Sequence, residues 1–427
     1  MSHRIHRFIF SPRVCMGAGT VVVIYGTDDI MMRCHVAVSQ DSNPQQAAQV
    51  VSRSVHDAFA GIGCDFACAF FSPHFTEDVK SLVEIVRNNL SPKILIGCMG
   101  AGVIGGTQEI EEHPGLVLWG LSNPSMQITP FHLTPKKNGA EFSLEGWPDM
   151  PEEHAAPRTF LLFADPFSTP IDELFTLLDH HAPGSSAIGG IASGGMNEGE
   201  SRLLLNEHIF ESGVVGVAIQ GGVEIRTVVS QGCQPIGERY VVTKVDRNVV
   251  QELGGIPPLE RLETTLKALR ESERQQAANG LQVGIAMDEH RAEFGQGDFL
   301  IRGLLGADRQ SGYLAIADFV QEGQTIQFHV RDADAAGTDL IGLLSKERLA
   351  SPNDRAKGAL LFSCNGRGQQ FFQTPHHDVA AVHQHMGMLP IAGFFAGGEI
   401  GPVGGKNYLH GYTASMVLFY DAESHES

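Results

Sequence analysis

The sequence predicts a mixed α/β (α+β) fold made of repeated strand–helix–strand units with Gly-rich loops, and three observations predict it. One pattern occurs three times: an apolar run ending in a polar residue, ACAFFS (67–72), TFLLFAD (159–165) and GALLFSC (358–364), leads through a helical stretch to a second apolar run that breaks into glycines. The spacing is regular, with 26 residues from Phe71 to Gly97, 26 from Phe163 to Gly189 and 31 from Phe362 to Gly393. The chain has 49 glycines in 427 residues and is 42% hydrophobic, which supplies both a large core and many tight turns.

Taken in order, residues 1–33 show no clear period, and Met31 and Met32 directly precede the first strand at 34–38. They are expected to be a poorly ordered extension, or a start assigned too early. In the first copy Thr76 caps a helix with Glu77 and Asp78 in its first turn, where the helix dipole favours them, and Leu82, Val83, Ile85 and Val86 form its buried stripe. The glycine run ILIGCMGAGVIGG and the strand GLVLWGL follow. In the second copy Thr169 and Pro170 start a helix over 170–181, followed by SAIGGIASGG and GVVGVAIQ.

Residues 237–255 read as two short strands about a turn at 246–248. Pro257 then opens one long amphipathic helix over 258–278, with Leu259, Leu262, Leu266 and Leu269 on one face and Asn279-Gly280 at its end. Two strands, GYLAIADFV and TIQFHVRD, are joined around Glu322-Gly323, and the third copy closes the chain with LPIAGFFAGGEIGPVGG and GYTASMVLFY. This organisation predicts an N-terminal domain over 34–235, a C-terminal domain over 236–421 and a tail at 422–427. Strands alternating with helices favour right-handed crossovers and a sheet covered by helices.

With 30 basic and 49 acidic residues the formal charge is −19, and there is no basic patch, so nucleic acid and anionic membrane surfaces are excluded as partners. No run approaches the ~18 to 20 apolar residues that a membrane helix needs. The seven cysteines are odd in number and widely spread, which argues for reduced thiols and a cytoplasmic location. No nucleophile–base pair, metal box or phosphate loop in its proper context emerges, so the sequence does not read as an enzyme.

The GCMGAGVIGG loop, GERYVVTKVDRNVVQELGG, GQTIQFHVRDAD, LLFSCNGRG and IAGFFAGGEIGPVGG with LHGYTAS together resemble the FIST family, the F-box and intracellular signal transduction proteins. The resemblance spans residues 34–420, both halves of the module in the family's order, as a stand-alone FIST pair. It implies an intracellular sensory module that binds small ligands such as amino acids. Some bacterial members are described as haem-binding sensors of nitric oxide, so haem stands as the alternative cofactor.

Candidate site residues follow from charge and loop chemistry. Arg367, after Cys364, Asn365 and Gly366, offers a planar fork for a carboxylate, and Glu399, after Gly397 and Gly398, accepts from an ammonium. Together they would suit a zwitterion; alternatively they pair with each other or with loop backbone. Thr413 and His410 lie beside the last glycine, Gly411. Cys364 would gain nucleophilicity if Arg367 lowered its thiol pKa, although a free cysteine is usually a small buried apolar residue.

Gly100 and Gly102 belong to a literal GxGxxG, but Ser122 and Asn123 stand where a dinucleotide fold needs an acid, so the loop reads as exposed N–H groups able to meet a ligand carboxylate. The loop at 189–195, followed by Asn197, Glu198, Glu200 and Arg202, reads the same way or as turn chemistry. His376, His377, His383 and His385, with Asp378, lack the i, i+4 spacing of a zinc helix and read as solvated histidines rather than metal ligands.

The function expected is non-catalytic binding of a small metabolite, read out by a separate signalling protein. A haem-based gas sensor and a ligand-free interaction scaffold, docking through the helix at 258–278, are the alternatives.

Overall fold

The computed structural model describes residues 32–138, 141–150, 158–291, 293–295 and 297–422, with the backbone of a hairpin formed by Arg13–Gly17 and Thr20–Ile24. Apart from that hairpin and residues 32–33, the expected N-terminal extension lies outside the described residues, as does the tail beyond residue 422. Among the described residues, no helix is long and apolar enough to cross a membrane.

Three mixed sheets share one connectivity. The first runs Arg33–Ser39, Leu116–Ser122, Phe66–Phe71, Ile94–Met99, and the second Gln127–Asn138, Val214–Gln220, Thr159–Ala164, Ser186–Ile191. The third runs Val223–Gln231, Thr413–Asp421, Gly358–Cys364, Ile391–Ala396. In each, the last two strands named are parallel, as a helical crossover requires, and the other pairs are antiparallel. Each sheet is completed by a hairpin from another unit. The hairpin Val103–Gly105/Gln108–Ile110 extends the third sheet, Leu203–Leu205/His208–Phe210 the first, and Glu399–Val403/Lys406–His410 the second. Strands from both sides of residue 236 are thereby interlocked.

The recurring glycines have a steric cause. Gly97, Gly189 and Gly393 stand opposite Ala69, Leu162 and Leu361 in the parallel pairs, and a Cβ on any of them would run into that partner's carbonyl oxygen. The next residues along those partner strands, Phe70, Phe163 and Phe362, meet at the centre of the molecule with ring centroids 5.3, 5.8 and 6.4 Å apart. The structural counterpart of Phe163 is therefore Phe70, not Phe71. Successive strand residues face opposite sides, so Phe71 packs instead among the helices, with Leu82, Val83 and Val86.

Helices cover the outer faces. Pro44–Ala58, which the sequence reading did not anticipate, lies with Val79–Leu90 on the first sheet, where Ile85 is only half-buried. Thr76 does not cap this helix: its hydroxyl donates to the Pro73 carbonyl at 2.7 Å inside a 3-10 turn, Pro73–Asp78. Ile171–His181 starts one residue later than expected, with Pro170 as its N-cap, and the Thr169 hydroxyl donates to the Gly213 carbonyl at 3.1 Å instead of capping it; Ala333–Ala350 with His377–Met386 covers the third sheet.

Between the second and third sheets in chain order, six strands close a barrel: Cys233–Asp246, Val249–Leu253, Leu314–Ile316, Phe299–Ala307, Leu281–Ala286 and Thr325–Arg331. The turn after Asp246 is where the sequence puts it. The long helix is not continuous, however. Leu269 is extended (φ −69°, ψ 150°) and packs into the barrel core, while Glu273 accepts from the Arg270 N–H at 2.9 Å and starts a second helix, Glu271–Asn279. Nor do the strands flanking Glu322-Gly323 pair with each other. Leu314–Ile316 joins Val249–Leu253 and Phe299–Ala307, whereas Thr325–Arg331 joins Cys233–Asp246 and Leu281–Ala286, which is what closes the barrel.

Candidate functional site

The barrel meets the third sheet where Thr325–Arg331 ends and where Gly358–Cys364 turns through Asn365–Arg367. Five candidate residues gather here, and most are already engaged. Arg367 is 1% exposed, and its Nε and Nη2 donate to Asp378 Oδ2 and Oδ1 at 3.0 and 2.9 Å; only Nη1 lacks a partner. Ser363 also donates to Asp378, at 2.8 Å. Burial alone would raise the Asp378 carboxyl, but Arg367 and these hydrogen bonds hold it well below the usual carboxylate range.

Glu399 has a different partner. Its Oε2 accepts from the Thr413 N–H at 3.1 Å and hydroxyl at 2.6 Å, its Oε1 is buried without a donor, and burial pushes its pKa up to about 8. Arg367 and Glu399 therefore do not pair with each other, and the Arg367 fork is occupied by Asp378. Cys364 is pushed up to about 12, first by burial and then by Glu399, which outweighs the lowering effect of Arg367, so the expected activation of the thiol is corrected. The Asn365 side-chain amide lies 2.7 and 3.2 Å from the Phe395 and Ala396 carbonyls, two acceptors that assign its nitrogen to that side.

The other candidates lie elsewhere. Gly100 packs against Phe394, and Gly102 against the Ile110 carbonyl. The Ala101 N–H between them donates to Ser193 Oγ at 2.8 Å, and a strand rather than a helix follows, so this loop is a packing feature. The loop at 189–195 leads into a turn closed by Glu200, which accepts from the Met196 and Asn197 N–H groups.

Gly398 and His410 border a separate groove of about 980 Å³ between helix Ile171–His181 and the barrel. His410 is 3% exposed, its Nε2 donates to the Gly401 carbonyl at 3.0 Å, and burial lowers its pKa to about 4. His410 is enclosed and its Nε2 is engaged, so a haem iron could reach this ring only after local repacking.

The histidine cluster is half-buried rather than solvated, and each ring has a local partner. His376 Nδ1 accepts from the Glu109 N–H at 3.0 Å, His377 lies 3.0 Å from Asp378, His383 meets the Leu389 carbonyl and His385 meets Ser345.

Beside the buried Arg367 lies an open cavity of about 580 Å³, bordered by Arg331, Asp332, Asn365, Gly366, Glu111 and Glu112. The Arg331 guanidinium sits between the rings of Phe371 and Tyr412, 4.7 and 4.9 Å from their centroids, and Nη2 donates to the Gly366 carbonyl. Its Nε is buried without a partner, and no carboxylate pairs with it among the described residues.

A second lobe of about 640 Å³ shares Glu111, Glu112 and Gln370 and adds Glu109 and His376. Glu112, Gln373, His376 and Tyr412, all on or beside these walls, have φ between 54° and 61°, a conformation that costs a non-glycine residue energy and clusters at functional sites. The sequence reading missed Arg331 and the three glutamates. Arg331 is marked only by its place at the carboxyl end of a strand, and the glutamates reach the site only because their hairpin crosses into the third sheet.

The FIST N domain profile matches residues 65–256 and the FIST C domain profile matches residues 258–402. An uncharacterized protein of Mycobacterium tuberculosis is 41% identical over 392 residues, which is 91% of this chain and 100% of the relative. An uncharacterized protein of Mycobacterium bovis is 41% identical over 393 residues, 91% of this chain and 99% of its own.

Proposed function

The chain belongs to the FIST family, whose domains are associated with sensing in signal transduction, and on that premise we propose that it binds a small zwitterionic metabolite, an amino acid or a close analogue, in the cavity beside Arg331. The observation that carries this reading is Arg331 itself. Two aromatic rings hold its guanidinium, which keeps a buried Nε without a partner, at the wall of a cavity large enough for a small metabolite. With Nη2 on Gly366 and Nε buried, the guanidinium offers a carboxylate its remaining Nη donors, and Glu111 and Glu112 on the cavity wall can accept from an ammonium.

The cavity wall also suggests how occupancy becomes a signal. Arg331 belongs to the barrel, Gly366 and Phe371 to the third unit, and Glu111 and Glu112 to the first unit's hairpin. A ligand touching all three favours whichever arrangement holds them together, and shifts the population toward it. A separate signalling protein reads that surface.

Thermal unfolding with free amino acids tests the reading. A ligand at a hundred times its dissociation constant stabilises by ~2.7 kcal/mol. Arg331→Ala is expected to abolish that gain, read against the variant's own ligand-free melting curve, which lies lower because the contacts to Phe371, Tyr412 and Gly366 are lost. An undiminished gain in the variant would remove Arg331 from the site.

A further inference from the structure

We infer that the two-lobed cavity selects an amino acid with a cationic side chain, of the lysine, ornithine or arginine kind; this rests on the reading that the Arg331 lobe holds a zwitterion. The argument is one of unpaired acidic groups. The shared wall carries Glu111 and Glu112, and the second lobe adds Glu109, which burial holds protonated up to about 8 and which a neighbouring cation would ionise; the first lobe sets Arg331 beside Asp332.

Each of these acids keeps an oxygen that no donor reaches among the described residues. Glu109 is 7% exposed and borders the second lobe; its Oε1 accepts from the Val379 N–H at 2.9 Å, and among the described residues no donor reaches its Oε2. Glu112 has no hydrogen-bond donor among the described residues, and Glu111 uses one oxygen to accept from the Gln369 N–H at 2.9 Å. Nor do three or more acidic, His or Cys side chains among the described residues converge as a metal site would need.

With its carboxylate on Arg331, a ligand reaches the second lobe along the wall the lobes share, where Glu111 and Glu112 stand. A neutral side chain there leaves Glu109 protonated and Glu112 to water, and an acidic one adds like charge. An ammonium or guanidinium supplies the missing donors as charge-assisted hydrogen bonds.

Titration calorimetry on the full chain with lysine, norleucine, glutamate and putrescine tests this. Norleucine matches the chain of lysine without the distal ammonium, and putrescine keeps two ammonium groups without the carboxylate. Lysine is expected to bind at least about tenfold more tightly than each of the others, the scale of one charged hydrogen bond. Glu112→Gln, at an exposed position, is expected to narrow the gap between lysine and norleucine.

Norleucine or glutamate binding as tightly as lysine overturns the cationic class and leaves the Arg331 site standing. Putrescine matching lysine overturns the carboxylate contact. Absence of binding by all four overturns this inference and the zwitterion reading together.

Discussion

Arg367 grips both carboxylate oxygens of Asp378 in the interior of the molecule, Nε to Oδ2 at 3.0 Å and Nη2 to Oδ1 at 2.9 Å, with the two side chains 1% and 2% exposed. A pair with this geometry is a structural joint between the turn after Cys364 and the start of helix His377–Met386.

Removing one partner leaves the other charge buried and unpaired. Arg367→Ala is therefore expected to cost about 3–5 kcal/mol of stability, with or without ligand. Urea unfolding of the variant checks this, and a loss below about 1 kcal/mol would show that Asp378 finds another partner.

The buried acids set a pH dependence. Burial raises Glu399 and Glu109 to about 8, so between their unfolded pKa near ~4.5 and about 8 the folded chain holds more protons than the unfolded one. Their contribution to stability falls as pH rises through that window. Arg367 moderates the rise at Glu399, and Asp378 adds to it at Glu109. Glu399→Gln keeps an oxygen to accept from Thr413 and cannot ionise. Relative to wild type it should gain stability from about pH 5 to about pH 8; a constant difference in denaturant midpoints would mean Glu399 is already ionised at the lower pH.

Phe163 stands between Phe70 and Phe362 and touches strands of all three sheets. Phe163→Ala should cost about 3–5 kcal/mol through the cavity it leaves. Because the three units share this core and exchange hairpins, calorimetry should still show one transition. Separate melting of one unit would mean the exchange does not couple them.

Thiol accessibility follows burial. Cys34, Cys68 and Cys98 are at most 5% exposed and their pKa values lie well above the ordinary thiol value, while Cys364 is half-buried. A soluble disulfide reagent applied to native protein should label Cys364 before these three, as read by peptide mass. Equal labelling of Cys98 would indicate that the first sheet opens readily.

Much of the fold is written in short stretches of chain. Gly97, Gly189 and Gly393 were identifiable because a glycine imposed by a neighbouring carbonyl recurs wherever the same strand pair recurs, and the helix at 171–181 because Pro170 marks its start. The gathering of Cys364, Asn365, Arg367, Glu399 and Thr413 in one place was also legible, since each lies at the end of a strand of the same unit or its hairpin, or in the turn just beyond it.

Only the tertiary structure decided who pairs with whom. That Arg367 takes Asp378 and Glu399 takes Thr413, that Glu109 receives the N–H of Val379 from 270 residues away, and that Arg331 rather than Arg367 faces open space are properties of chain crossings. Hairpin exchange and barrel closure leave no period in the sequence, because a period records which side of its own strand or helix a residue faces and nothing about which strand lies alongside. A charge is placed by its own residue, but its partner is chosen by whichever backbone the fold brings within reach.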